Sequence, residues 1–183
     1  PDEISKLIFY NSKDFPNNTQ LSIAIIDKDK TNYYGVIIEN DSLKPIDNKT
    51  NIFEIGSITK VFTATVLASL VEHNKIKLSD YINSYYPFGF KDNTKITFES
   101  LANHTSGLPR LPENINLSNQ LNPYQSYGEK ELSEYLKNIL SLKIVNSYAY
   151  SNLGAGVLGH TLALSQKVSF EELLQDRIFD KYK

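Results

Sequence analysis

The amino-acid sequence predicts an α+β protein in which an antiparallel sheet packs against a mainly helical domain. Two runs rich in β-branched and aromatic residues, Leu21–Ile26 and Thr31–Glu39, flank a short polar turn, as is typical of a β-hairpin. Beyond residue 56 the apolar residues recur instead at helical spacing. We therefore expect an N-terminal helix and hairpin in residues 1–55 and a helical subdomain in residues 56–183.

The N-terminal part of the sequence accounts for only part of a sheet. A helix is expected from Asp2 to Tyr10, before the hairpin, and the polar residues 41–49 after it are expected to form a plain connection. Two strands alone do not make a stable sheet in water. We therefore expect the remaining, C-terminal strands to come from a later part of the same protein or from a partner.

The longest predicted helix follows a short lead-in, Phe53–Ile55, and ends near Asn74. Gly56 permits a sharp turn into this helix, because glycine tolerates backbone conformations that strain other residues. Apolar residues cover nearly every side of it, at Val61, Phe62, Ala64, Val66, Leu67, Ala68, Leu70 and Val71. A helix that is apolar all round is expected to be buried in the core.

Capping signals and spacing predict four shorter elements. Thr97–Asn103 is a short helix capped by its threonine. Residues 131–140 and Leu153–Leu164 carry apolar side chains at helical spacing, and the second run is rich in small residues. Ser169 and Glu172 form a capping box that opens the last helix.

The composition argues against several classes of protein. The 183 residues include 19 Lys and Arg and 21 Asp and Glu, scattered along the chain for a net charge of −2, so no nucleic-acid partner is expected. No apolar run approaches the roughly 20 residues of a membrane span. The chain has no cysteine, and its histidines, His73, His104 and His160, are far apart, so we expect neither a metal site nor a cofactor.

Ser57 and Lys60 are the strongest candidates for catalytic chemistry. They lie three residues apart at the start of the long helix, which puts both side chains on one face and within reach of each other. A Ser-x-x-Lys pattern alone is weak and is expected about once by chance in a chain of this length. The apolar helix adds weight, because a partly desolvated lysine loses its proton more readily. A neutral Lys60 could then take the proton of Ser57 and make its hydroxyl a nucleophile.

Three blocks of the sequence resemble the serine β-lactamase and penicillin-binding protein family, and especially its class C and D-Ala-D-Ala-carboxypeptidase-like branch. The resemblance is strongest at Phe53–Ala64, which holds the Ser-x-x-Lys pattern, at Leu101–Pro109 and at Tyr150–Gly159, and it runs from about Leu21 to Lys183. It implies the β-lactamase/transpeptidase-like fold, of which only the N-terminal part is expected here.

The resemblance also implies roles for a tyrosine and an asparagine. Tyr150 and Asn152 match the Tyr-x-Asn element of the family, so Tyr150 would share the proton of Ser57 with Lys60, and Asn152 would bind substrate. A second Tyr-x-Asn begins at Tyr81, but it matches a structural turn of the family, and Tyr150 is preferred. The backbone N–H of the serine would supply one donor of the oxyanion hole.

Two further blocks have roles that the resemblance implies. Asn103–Pro109 matches a turn that shapes the floor of the site, so His104 is expected to be structural rather than a catalytic base. Asn122–Tyr127 resembles a segment of the class C-like branch, and it either borders the substrate cleft or forms a surface loop with packed tyrosines.

Two elements of the family have no counterpart in this sequence. The first is a later strand with Lys or His, then Ser or Thr, then Gly, which supplies the second oxyanion donor; Thr105–Gly107 is similar but lies in a turn. The second is the Ser-Asp-Asn of class A enzymes, because Tyr81 follows Ser79 and Asp80. We therefore expect a missing C-terminal segment of the same protein to complete the site.

These expectations describe a serine hydrolase that acts through an acyl-enzyme on a β-lactam or a related amide or ester. A D-Ala-D-Ala peptidase or an esterase of the same fold is the alternative, and a non-catalytic penicillin-binding-like module is the alternative of another class. The choice among the enzymes depends on how fast water reaches the acyl-enzyme, which these motifs do not encode. The expected partner is a small-molecule substrate, and the expected location is periplasmic or extracellular, after removal of a signal peptide.

Overall fold

A computed structural model describes residues 3–119 and 121–182 of the chain. The chain divides into two compact units, Pro1–Glu54 and Ile55–Lys183. Among the described residues, no helix combines the length and the apolar character needed to cross a lipid bilayer.

The N-terminal unit contains one helix and an antiparallel sheet. Helix α1 spans Glu3–Ser12, and Asp2, where the helix was expected to start, lies outside the described residues. The described strands pair in the order β1-β2-β3 and span Gln20–Asp27, Lys30–Glu39 and Ser42–Pro45. The predicted hairpin is therefore confirmed as β1 and β2.

Strand β3 corrects the expectation that residues 41–49 form a plain connection. It pairs with β2 so that Ile38 lies opposite Leu43. The two residues between the strands, Asn40 and Asp41, have φ angles of 51° and 56°. Positive φ at both positions is the requirement of the tight hairpin turn that matches strand twist, and Asn and Asp tolerate it better than most residues. The polar composition of this segment concealed a turn followed by a strand.

Five helices lie in the described part of the second unit. They are α2 (Thr59–Glu72), α3 (Phe98–Ala102), α4 (Glu129–Glu134), α5 (Asn152–Gln166) and α6 (Phe170–Leu174). Helices α4 and α6 each continue into a π-helical turn, over Tyr135–Ile139 and Gln175–Phe179. All of the predicted helical segments in this unit are thus confirmed, with boundaries that shift by a few residues.

Side-chain caps fix where three of these helices begin. The hydroxyl of Thr97 accepts the N–H of Ser100, which starts α3. The hydroxyl of Ser169 accepts the N–H of Glu172, whose carboxylate accepts the N–H of Ser169 at 2.7 Å, so the predicted capping box is confirmed. The hydroxyl of Ser151 accepts the N–H of the third residue of α5 at 2.8 Å, which sets the start of the helix that follows Tyr150.

The core of the second unit holds α2 and α5 together. Side chains from both helices are buried in it along with residues of α3 and α4, at Val66, Leu70, Phe98, Leu101, Leu132, Val157 and Leu162. Burying an aliphatic or aromatic side chain of this size stabilises a fold by about 1.5–3 kcal/mol. The helix that follows Ser57 and the helix that follows Tyr150 are therefore anchored to one another.

Helix α2 is not buried all round, which corrects a second expectation. One face is buried, at Thr63, Val66, Leu67 and Leu70. The opposite face, which we call the outer face of α2, consists of exposed residues at Ile58, Val61, Ala64, Thr65 and Ala68. Among the described residues, α5, α6 and the turn after α6 pack against α2 and cover only one side of it.

Candidate active site

Ser57 lies in a single 3₁₀ turn, Gly56–Ile58, that leads directly into α2. The backbone of Gly56 has a φ of +54°, in the left-handed region where other residues are strained. The chain therefore turns sharply at Gly56 and presents Ser57 beside the N-terminal end of α2. Backbone N–H groups at such an end lack partners within the helix, and the helix dipole favours negative charge there.

Three of the predicted site residues meet at one oxygen atom. The ammonium of Lys60 donates to Oγ of Ser57 at 3.2 Å, and the phenol of Tyr150 donates to the same oxygen at 2.7 Å. Tyr150 is 93 residues away in sequence and comes from the loop before α5. The serine oxygen thus lies between two groups that could exchange protons with it.

The surroundings of Tyr150 favour loss of its proton. The pKa of Tyr150 is lowered from its ordinary value, first by hydrogen bonding with Lys60 and then by the hydrogen bond with Ser57. The positive charges of Lys60 and Arg110 act in the same direction. The Lys60 nitrogen lies 5.0 Å and the Arg110 guanidinium 5.4 Å from the centre of the tyrosine ring. Both cations stabilise a phenolate more than a phenol.

Asn152 is the first residue of α5 and is fixed by its backbone and its side chain. Its N–H donates to the carbonyl of Arg110 at 3.0 Å. Its side-chain amide donates to the hydroxyl of Tyr124 at 3.2 Å. Tyr124 belongs to the segment that was expected to be either a cleft border or a surface loop, and the structure places it against the side chain of Asn152.

A cleft of about 730 Å³ opens beside these groups and is lined in part by Ser57, Lys60, Tyr124 and Asn152. This volume lies within the usual range of ligand sites, roughly 300–1,000 Å³. Its other wall includes the small residues of α5, and Gly156 is exposed there with no atom within 4 Å of where a β-carbon would lie. The small residues of α5 therefore leave room for a ligand beside Ser57.

The second Tyr-x-Asn sequence lies in a turn. Tyr81 forms an isolated β-bridge with Thr97, and the side chain of Asn83 donates to the carbonyl of Thr94 at 2.7 Å. These bonds tie two loop segments together. In the described part of the chain, no group of three or more His, Asp or Glu side chains is placed to hold a metal ion.

Sequence reasoning missed Arg110, and it did not predict the contacts that His104 and Tyr124 make at the site. Arg110 lies over one side of the Tyr150 ring, His104 packs on that ring with 4.7 Å between ring centres, and Tyr124 binds Asn152. Each contact joins loops that are distant in sequence. Spacing along the chain carries no signal for such contacts, and only the resemblance of the blocks around 104 and 122 pointed to this region.

Comparisons with known proteins identify the family that the chain resembles. Residues 18–183 match the family model described as Beta-lactamase. The chain is 31% identical over 165 residues to a β-lactamase of Pseudomonas fluorescens, an alignment that covers 88% of this chain and 43% of that protein. It is 26% identical over 185 residues to the D-alanyl-D-alanine-carboxypeptidase/endopeptidase AmpH of Escherichia coli strain K12, covering 97% of this chain and 46% of that protein. The chain thus spans less than half the length of either relative.

Solved structures share the fold. A β-lactamase/D-alanine carboxypeptidase from Yersinia pestis, complexed with citrate, superposes with a TM-score of 0.76 at 24% identity, covering 96% of this chain and 50% of that chain. A protein of the same description from Pseudomonas syringae gives a TM-score of 0.68 at 27% identity, covering 96% and 46%. The expected β-lactamase/transpeptidase-like α+β fold is therefore confirmed. With the family model matched over residues 18–183, the chain belongs to the β-lactamase family.

Proposed function

We propose that the protein containing this chain is a serine hydrolase that forms an acyl-enzyme at Ser57 with a β-lactam or a related amide or ester. The observation that carries this proposal is the convergence of Lys60 and Tyr150 on Oγ of Ser57, at 3.2 and 2.7 Å. A hydroxyl is a weak nucleophile until a neighbouring base takes its proton, and these two groups are within reach to do so.

In the proposed reaction, one of the two neighbours has first lost its proton, as a Tyr150 phenolate or a neutral Lys60 amine, and it accepts the proton of Ser57 while Oγ attacks the substrate carbonyl. The new C–O bond forms a tetrahedral intermediate, whose oxyanion is stabilised by the backbone N–H of Ser57. The C–N or C–O bond of the substrate then breaks, and the stored proton passes to the leaving group. Water hydrolyses the ester in a second attack, and Asn152 orients the substrate amide from the wall of the cleft.

The choice of substrate is also proposed. A β-lactam is favoured because the family model and the Pseudomonas fluorescens relative bear that description. The likeness to a D-alanyl-D-alanine carboxypeptidase/endopeptidase supports a D-Ala-D-Ala peptidase as the second candidate. A periplasmic or extracellular location accompanies either proposal, because β-lactams and cell-wall peptides are met there.

A segment outside residues 1–183 is proposed to complete the site. The outer face of α2 supports this proposal, because its apolar Val61 is 64% exposed beside the candidate nucleophile. The Pseudomonas fluorescens relative, of which this chain matches 43%, has ample further length for such a segment. The segment would cover the outer face and supply the second oxyanion donor.

Intact mass measurement tests the proposal. The full-length protein is incubated with a fluorescent penicillin and, separately, with an activated ester. We expect a covalent adduct of one substrate acyl group, which is absent from Ser57→Ala and present in Ser79→Ala, a control at an exposed serine. An adduct that persists on Ser57→Ala would refute the assignment. An adduct on Ser57 that hydrolyses with neither the penicillin nor the ester would favour the non-catalytic penicillin-binding-like module.

A further inference from the structure

His104 lies in a turn whose backbone is tied to the segment before Tyr150. The N–H of Ala149 donates to the carbonyl of His104 at 2.8 Å, and the N–H of Asn146 donates to the carbonyl of Thr105 at 3.0 Å. The backbone of His104 has a φ of +61°, which is uncommon for residues other than glycine, although Asn, Asp and His adopt it more often than most. The turn thus runs alongside the chain that delivers Tyr150 to the site.

The imidazole of His104 contacts three residues of that chain. Its Nδ1 accepts the backbone N–H of Ser151 at 3.3 Å. Its ring lies on the ring of Tyr150, with 4.7 Å between centres and 40° between planes. The ring of Tyr148 meets it edge-on at 5.9 Å. The imidazole therefore contacts Tyr150, which donates to Ser57, together with Ser151 just after it and Tyr148 two residues before it.

Burial and a neighbouring positive charge favour the neutral form of the imidazole. Burial lowers the pKa of His104, and the positive charge of Lys60 lowers it further. Arg110 is a second cation near the same tyrosine ring. Only an imidazole with an unprotonated Nδ1 can accept the N–H of Ser151, since both ring nitrogens of a charged histidine are donors.

We propose that His104 is a positioning residue for acyl transfer, whose neutral imidazole fixes the ring of Tyr150 and the N–H of Ser151 so that the phenol stays on Oγ of Ser57. The proposal rests on the proposed function, because it assigns His104 an effect on catalysis through Tyr150 alone. This role differs from that of a residue that only forms a turn. The turn requires only the backbone of His104, whereas the position of the Tyr150 phenol requires its side chain.

Three substitutions separate the backbone from the side chain. His104→Gly relieves the strain at positive φ and removes the imidazole, so any loss reports the side chain rather than the turn. His104→Asn keeps an acceptor for Ser151 and tolerates the same φ. His104→Phe keeps a ring on Tyr150 without the acceptor. We expect acylation of the full-length protein to slow by about 10- to 100-fold in the glycine variant, with substrate affinity unchanged, and by less in the other two.

A double-mutant cycle distinguishes positioning from general structural support. In a Tyr150→Phe background, His104→Gly is expected to change the acylation rate by less than about twofold, because the group that it positions is already gone. In the matched Tyr81→Phe background, the full loss is expected, since Tyr81 lies in a turn with Thr97. Equal losses in all backgrounds, or no loss in any, would overturn the proposal.

A nitrogen NMR measurement tests the same contact without any turnover. In protein labelled with ¹⁵N-histidine, the signal lost in His104→Gly is assigned to His104, and we expect its Nδ1 to be unprotonated at neutral pH. A protonated Nδ1 would overturn the positioning role even if Ser57 is acylated. If neither penicillin nor ester acylates Ser57, the proposed hydrolase fails, and with it the catalytic role of His104, even where the NMR contact is found.

Discussion

Lys60 could assist Ser57 either as a base or only as a positive charge, and substitution separates these roles. Lys60→Ala removes both, and we expect acylation to slow by about 100- to 10,000-fold, the usual contribution of general acid–base catalysis. Lys60→Arg keeps the charge, but a guanidinium does not release its proton at working pH, so no rescue is expected. Rapid mixing with a fluorescent penicillin measures the rate.

A lysine at the opposite end of α2 provides the control for these variants. Lys75 is exposed just beyond the end of α2, and Lys75→Ala is expected to acylate at the native rate. Circular dichroism melting should give similar midpoints for all the lysine variants. Native rates for Lys60→Arg would show that the charge of Lys60, and not its proton transfer, assists the reaction.

Two histidines make the stability of the protein depend on pH. Burial lowers the pKa of both His104 and His160; the charge of Lys60 adds to this effect at the first, while the carboxylate of Glu129 opposes it at the second. Below about pH 6.5, the unfolded chain therefore binds protons that the native protein does not. The free energy of unfolding is expected to fall as the pH falls through this range.

Urea titrations at about pH 7.5 and about pH 5.5, on either side of the ordinary histidine pKa, measure this effect. A protein with His104→Asn and His160→Asn is expected to lose less stability between the two pH values than the native protein. His73→Asn, at an exposed histidine, is the control and should leave the loss unchanged. An identical loss in the double variant would show that other groups cause the acid sensitivity.

The sequence predicted the candidate site only where the contacts are local or where a family block exists. Ser57 and Lys60 are three residues apart, and helical geometry alone brings them together. Tyr150 lies 93 residues from Ser57, so it was reached only through the resemblance of its block. The contacts of His104 and Tyr124 depend on how three loops pack, and no periodicity encodes that packing.

At the scale of single elements, helix α5 also forms part of the cleft wall. Its glycines differ in the space around them. At Gly156 a β-carbon would meet nothing within 4 Å, whereas at Gly154 it would lie 3.2 Å from the capping hydroxyl of Ser151. We expect Gly156→Ala to raise the free energy of unfolding by about 0.5–1 kcal/mol, because glycine is costly within helices. Gly154→Ala should lower it or leave it unchanged.

Chemical denaturation of both variants measures this difference, and kinetics adds a second reading. A larger side chain at Gly156 enters the cleft, so Gly156→Phe is expected to raise KM for bulky substrates while leaving the melting temperature near that of Gly156→Ala. If Gly156→Ala instead lowers the free energy of unfolding, the cleft side of α5 is more tightly packed than the empty space around Gly156 indicates.

The helices and strands themselves were predictable wherever a single sequence signal was sufficient to define them. Two β-rich runs around a polar turn predicted the hairpin, and the cap at Thr97 and the capping box at Ser169 predicted the starts of α3 and α6. Strand β3 was missed because its evidence lies in the turn at Asn40 and Asp41 rather than in its own polar residues. The prediction that α2 is buried all round was wrong for the described chain. The apolar residues of a helix indicate which of its faces can be buried, but not whether a neighbouring segment is present to bury them.

At the scale of the whole molecule, substitutions on the outer face of α2 test whether a further segment of the protein covers that face. Val61 is 64% exposed and Val66 is fully buried in the same helix. If a further segment covers the outer face, Val61→Ala and Val66→Ala should each destabilise the full-length protein by about 1–3 kcal/mol. Equilibrium unfolding of the two variants tests this, and a neutral Val61→Ala would contradict the proposed cover.

The long separation between Ser57 and Tyr150 also bears on the order of assembly. The turn at Gly56 and the start of α2 place the serine beside Lys60 through local structure, which forms within microseconds. The phenol arrives only when α5 has docked on α2, 93 residues later in the chain. During refolding, reactivity toward a labelled penicillin would therefore appear only after helix formation. The reactive fraction of the molecules would measure the fraction in which α5 has docked on α2.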